Sequence, residues 1–219
     1  MSYLPLTLGV GQTSGAKGEG FKPLSKTESE EVLRRDNHTC LFCGFRSTQF
    51  QRAVPFEGNG VTVCSFCEQV LELERAGLMG GGLLIWLPEI SQTELNHIAR
   101  SAYIAKSESG EMADAANRAI EALTARRIDA KKRLGTDDPL LLATVMRENL
   151  NDRERKSASS KLDGIRLLPF DKHMVRKNGK DINGFSQMVT FWKSANGPYA
   201  NIPSKEWGAM FAKVSSSGV

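Results

Sequence analysis

Cys40, Cys43, Cys64 and Cys67 are all the thiols among 219 residues, and they form two C-x-x-C pairs separated by twenty residues. Two matched pairs point to metal binding rather than packing, because two intervening residues let one tight turn aim both sulfurs at a single point. Zinc, which has no directional preference of its own, takes four thiolates in a tetrahedron at ~2.3 Å. Cys40, Cys43, Cys64 and Cys67 are therefore the expected ligands of one structural Zn2+. With sulfur in every position no site remains for water, so the chemistry expected is bracing rather than hydrolysis, and no catalytic residue is assigned. Such a centre carries net negative charge, and Arg34, Arg35, Arg46 and Arg52 are the arginines close enough in sequence to offset it.

The elements that must position these thiols are readable around them. Gly44 follows Cys43 and can supply the positive φ that a metal knuckle often needs. Cys64 and Cys67 lead into EQVLELERAG, which reads as one short helix ended by Gly77, with the thiols near its N-terminus. Between the pairs, TQFQRAV and GVTVC have the alternation of two short strands joined across PFEGNG. The result is an α+β fold: a treble-clef-like, HNH-like zinc module with a short β-hairpin, elaborated by several α-helices.

Beyond the module, glycines at 77, 80, 81 and 82 permit a sharp reversal, LLIWL reads as a buried strand, and Ser91 with Glu94 makes a capping box. The following helix is expected to place Leu95, Ile98, Ala99 and Ala102 on one face. A single helix is predicted from Glu111 to Leu134, with Arg118, Arg126, Arg127, Lys131, Lys132 and Arg133 outside its apolar stripe. Asp138-Pro139 opens another helix through about Leu150, and RERKSASSKLDG is a polar stretch before IRLLP.

Hydrophobic content of 40% is ordinary for a globular chain, and the longest apolar runs fall far short of the ~18 to 20 residues needed to cross a bilayer. The first residues lack a basic leader and a continuous apolar core, so a cytoplasmic protein is expected, with residues 1–27 as a loosely ordered arm. Residues 28–108 are expected to hold the zinc module with its following strand and helix, 109–169 a helical region packed on it, and 170–219 a basic aromatic segment. That last segment carries seven basic against three acidic side chains and seven of the aromatics. It fits either a small core with a wet exterior or a docking surface for an acidic partner, a nucleic acid or an anionic membrane.

LRRDNHTCLFCG and VTVCSFC resemble the zinc-stabilised HNH endonucleases, which place a helix ending in Arg-Asp before the first cysteine pair. Those enzymes need a histidine base on the strand after the first knuckle, where this chain reads QRAVPF. His38 lies on the wrong side of the knuckle, and Glu57 and Asn59 are polar residues in a turn, so the expectation is a scaffold without the nuclease chemistry. In this order, RRDNHTCLFCGF, VTVCSFC, GGGLLIWLPEISQTELN and IRLLP resemble the IcmJ/DotN family of type IVB secretion and conjugation systems, over about residues 28 to 170. The resemblance implies an adaptor in the coupling complex, recruited to the inner membrane by binding the C-terminal segment of the coupling ATPase and assisting substrate presentation. Leu83, Leu84, Ile85, Trp86 and Leu87 are the expected partner-facing apolar groups. The competing readings are a nucleic-acid binder, motivated by the basic helix and tail, and an active metal-dependent nuclease.

Overall fold

The structure, a computed structural model, describes residues 3–10, 24–151, 153, 154, 157, 162–177 and 179–209. Helix α1 (Lys26–Arg35) starts at Ser25, whose hydroxyl accepts from the Glu28 N–H while the Glu28 carboxylate accepts from the Ser25 N–H. It ends at Asp36, which ties the helix to the hairpin: its carboxylate accepts from the Thr62 N–H at 2.9 Å and from Arg35 Nε at 2.8 Å. The hairpin pairs β1 (Gln51–Phe56) with β2 (Asn59–Cys64), from Gln51 opposite Cys64 to Phe56 opposite Asn59. Glu57 and Gly58, both at positive φ, form the two-residue turn whose twist suits the strands.

The helix expected from the second cysteine pair to Gly77 is two helices, α2 (Ser65–Leu71) and α3 (Leu73–Leu78), broken at Glu72. The break has a partner. Gly9 donates its N–H to the Val70 carbonyl and accepts from the Leu73 N–H, each at 3.0 Å, so residues near Gly9 take up backbone groups that a continuous helix would use itself. Residues 3–10 are thus not the loose arm expected: Leu8 is buried and the Leu4 N–H donates to the Leu41 carbonyl. The rest of that arm from 11 to 23, half of RERKSASSKLDG, and Phe211 with Lys213 lie outside the described residues.

At the centre, β3 (Gly82–Trp86) pairs antiparallel with β4 (Ile165–Pro169), from Gly82 opposite Pro169 to Trp86 opposite Ile165. Gly82 is required there, because an added Cβ would lie 2.5 Å from the Leu168 carbonyl oxygen. Both faces of the ribbon are covered. Leu83, Ile85 and Leu87 pack with the cysteines, while Leu84, Ile165 and Leu167 pack with Val70, Leu73, Ala130 and Ala143. Leu83, Leu84, Ile85 and Leu87 are buried, as the buried-strand reading expects, and Trp86 is half-buried, which corrects the expectation that this run presents exposed apolar groups: with a partner strand and packed faces, only part of Trp86 is left to solvent. Beyond β4 the Gln92 side chain stands in for a further strand, its Nε2 donating to the Leu167 carbonyl and its Oε1 accepting from the Leu167 N–H, each at 2.8 Å.

Helix α4 (Gln92–Lys106) has the capping box expected at Ser91 and Glu94. Its buried face carries Leu95, Asn96, Ala99, Arg100, Tyr103 and Ile104, whereas Ile98 is 43% exposed. The face is rotated from the apolar stripe because two polar residues point inward. The single helix expected from Glu111 to Leu134 is α5 (Glu111–Ala125) and α6 (Arg127–Leu134), parted at Arg126, whose carbonyl accepts from the Trp86 N–H and whose guanidinium reaches the Trp86 carbonyl and Glu89. Helix α7 (Pro139–Asn149), capped by Asp138, packs on α3 where Gly77 meets Leu140. After the hairpin of β5 (Met174–Lys177) and β6 (Lys180–Asn183), α8 (Phe185–Lys193) returns to the cysteine core through Phe185, Met188, Val189 and Trp192. These aromatics of the basic C-terminal segment are core residues.

Two substitutions test this frame. Gln92→Ala leaves both buried backbone groups of Leu167 unpaired and is expected to cost about 2–3 kcal/mol in a urea unfolding titration, whereas Ile98→Ala on the same helix costs less than about 0.5 kcal/mol. Burial alone would raise the Asp36 carboxyl, but the hydrogen bonds from Arg35 and Thr62 outweigh it and hold it below the usual carboxylate range. That stabilisation is complete above the unfolded-chain pKa of roughly 4 and is lost as pH falls through the lower folded value. Asp36→Asn is therefore expected to lose about 1–2 kcal/mol at pH 7, with the gap from the parent chain closing as pH falls below about 4.

Candidate metal centre

The loop after α1 turns back on itself at the first cysteine pair. The Gly44 N–H donates to the Cys40 carbonyl at 2.9 Å and the Cys40 N–H donates to the Phe45 carbonyl at 3.0 Å, closing a knuckle. Gly44 holds φ at 71°, as its place after Cys43 led one to expect, and the Tyr3 ring fills the space where its side chain would be. Cys64 ends β2 and caps α2, while Cys67 sits in that helix's first turn.

The four sulfurs lie within 4.8 Å of one another and all four residues are buried. Cys43 Sγ and Cys64 Sγ are 3.7 Å apart, too far for a disulfide but close to the ~3.8 Å edge of a tetrahedron whose centre is ~2.3 Å from each corner. A single ion can therefore be reached by all four without rearranging the backbone.

Three residues of α4 surround this cluster. Asn96 Nδ2 donates to Cys67 Sγ at 3.4 Å, Arg100 donates from Nη2 to Cys64 Sγ at 3.5 Å, and His97 Nε2 lies 2.8 Å from the Cys43 carbonyl. Arg100 is 1% exposed, and among the described residues no carboxylate pairs with it. Its guanidinium lies over the Phe45 ring at 3.7 Å, with Phe66 and Trp192 farther off. A buried cation without an anion is prohibitively costly, so the sulfur cluster must carry negative charge. Four thiolates around one divalent ion meet that requirement.

The thiols divide in direction, and Cys64 is the one that favours the thiolate. Hydrogen bonds from the other three thiols, with Arg100 nearby, hold Cys64 well below the ordinary thiol range against the cost of its burial. Burial pushes Cys40 and Cys67 well above that range. A cation at the centre removes this competition by favouring the thiolate at every corner.

The arginines expected to offset the charge are occupied elsewhere. Arg35 binds Asp36 and the Gly60 carbonyl, Arg46 binds Asn37, Arg52 binds Glu68, and Arg34 is exposed. Arg100 does this work from 33 residues beyond the last cysteine. Its only sequence signal was a basic residue one turn after Asn96 on the helix face that also carries Leu95 and Ala99. Asn96 and His97 were missed for the same reason.

The basic side chains at the α5–α6 junction and along α6 are engaged within the fold. Arg126 pairs with Glu89 at 2.7 Å, Lys131 with Asp137 at 3.1 Å and Lys132 with Asp129 at 3.4 Å. Arg127 also binds Asp137, and Arg133 lies over Trp86. His38 holds its backbone at a positive φ, and Glu57 is exposed in the hairpin turn, its carbonyl accepting from Asn59 Nδ2.

No family model matches the chain. Among curated proteins it is similar to the type 4 apparatus protein DotN of Legionella pneumophila subsp. pneumophila strain Philadelphia 1, with 33% identity over 158 residues, which is 66% of this chain and 72% of that protein. No helix among the described residues is long and apolar enough to cross a membrane. Identity of that extent shows that the chain belongs to the DotN (IcmJ) family.

Proposed function

We propose that this protein is a non-catalytic adaptor of the secretion apparatus, braced by one structural Zn2+ held by Cys40, Cys43, Cys64 and Cys67 in a treble-clef-like module. The observation that carries the reading is the buried Arg100 against four converged sulfurs: it calls for an anionic, fully coordinated centre with no position for water. Zinc fits the all-sulfur donor set and would supply cross-linking, joining the first knuckle to the start of α2. The nuclease reading lacks support because β1 carries no histidine, and the nucleic-acid reading is weakened by the ion pairs of Arg126 and of α6.

As an adaptor it would bind the C-terminal segment of the coupling ATPase together with other coupling-complex subunits and reach the inner membrane through them. The coarse part of this rests on the relative's being a type 4 apparatus protein. The finer part rests on the family resemblance and on a rigid surface with cationic and apolar features next to the zinc module.

Elemental analysis of freshly purified, reduced protein is expected to find one zinc per chain. Chelation at neutral pH is expected to remove a large part of the chain's far-UV circular dichroism, with recovery on zinc return; a metal-free, fully folded protein would contradict the reading. Arg100→Leu leaves the centre's charge uncompensated and is expected to lower the stability of the zinc-loaded protein by about 3 kcal/mol or more. Isothermal titration of the folded chain with a peptide from the coupling ATPase tail is expected to give saturable one-to-one heat, and an absence of binding would count against the adaptor role.

A further inference from the structure

A cleft of about 360 Å³ opens among residues of β1, α2 and α3, and its lining includes Arg52, Arg75, Lys172 and His173. Glu68 is the one carboxylate in that lining. Its Oε1 accepts from Arg52 Nη1 at 2.6 Å and from Arg75 Nη1 at 2.8 Å, so two guanidiniums share a single oxygen. Each fork has five N–H donors, and both side chains are 48% exposed, so donors are left facing the opening. Lys172 is exposed and adds a third positive charge. Burial, and then the fields of Arg52 and Arg75, hold His173 below the usual histidine range, as a positive potential across the cleft requires.

The walls are shaped for an occupant. Phe50 takes a φ of 63°, a conformation that costs energy for a bulky residue, and its ring stands edge-on to His173 at 5.7 Å. The glycine run that the sequence places after α3 keeps the floor clear: a Cβ on Gly80 would lie 2.8 Å from Lys172 Nζ, and one on Gly81 2.7 Å from Gln69 Oε1. Among the described residues that buried Gln69 oxygen has no hydrogen-bond partner. At the rim, Met79 is 44% and Leu78 65% exposed.

We propose that this cleft docks an acidic side chain of an extended partner peptide, the carboxylate lying between Arg52, Arg75 and Lys172 and the peptide's apolar neighbours covering Leu78 and Met79. Paired guanidiniums match the planar carboxylate. A free anion would fill the charged floor and leave the apolar rim wet, whereas a peptide alternating acidic and apolar residues covers both. The inference deepens the adaptor reading and takes its biological meaning from it.

The test uses a labelled, end-capped peptide of alternating glutamate and leucine, titrated by anisotropy with the full chain as purified. Binding is expected, weakening as salt is raised. It is expected to weaken at least about tenfold in Lys172→Glu and Arg75→Gln, in the glutamine–leucine peptide, but not in Lys205→Glu, with melting temperature unchanged in Lys172→Glu. No binding, equal binding of the glutamine peptide, or unaltered binding by Lys172→Glu would overturn the proposal. Displacement by inorganic phosphate but not by chloride of equal ionic strength would show a small-anion site instead, and tighter binding of a single-stranded oligonucleotide would show a nucleic-acid site. Because the probe is synthetic, its failure leaves the ATPase-tail titration, and with it the adaptor reading, untouched.

Discussion

A guanidinium sealed among Phe45, Phe66 and Trp192 has to have a counter-charge, and in this protein the four sulfurs are what it meets. That constraint links parts of the chain that would otherwise be independent. The knuckle at residues 40–44 and the β2–α2 junction supply the sulfurs, α4 supplies the cation and the Asn96 amide, and α8 closes the aromatic wall with Trp192. Disturbing the charge balance at this point disturbs all four elements. For that reason the thiol cluster is part of a shared core rather than of a separable finger.

The second organising feature is the β3–β4 ribbon, which has hydrophobic side chains on both faces and so divides the interior into two packed halves. One half contains the thiols and the other contains the contacts of α3, α6 and α7. The ribbon's own hydrogen-bonding needs are met without a larger sheet, by Asp137 on one side and the Gln92 amide on the other. Side-chain amides used this way leave the ribbon with little exposed edge to recruit another strand.

A rigid interior of this kind leaves the exterior free to specialise. At the α5–α6 junction and along α6, Arg126, Lys131 and Lys132 answer acids of the same chain, which spends their charge within the fold. Around Arg52, Arg75 and Lys172 the balance is different, because three cations face one carboxylate. The contrast explains why charge counted along the sequence says little about where a partner would be recognised.

What could be read from the sequence was what depends on neighbours within a few residues. The paired cysteines, the Gly44 turn, the hairpin between them, the Ser91 and Glu94 cap and the start of α7 at Asp138 are all local, and each is where its residue types place it. Residues 83–87 admitted two readings, a buried strand and a partner-facing run, because an apolar strand looks alike whether its faces are covered or open, and the residues that bury it come from α2, α4, α6 and α7. Nor could the helix breaks at Glu72 and Arg126, since each exists to hand backbone groups to a distant segment, Gly9 in one case and Trp86 in the other. Arg100 is the clearest instance: its charge was visible and its partner was not. Only the folding of α4 over the cysteines turned a basic residue on an amphipathic helix into the counter-ion of the site, because electrostatic partnership depends on distance in space and not on separation along the chain.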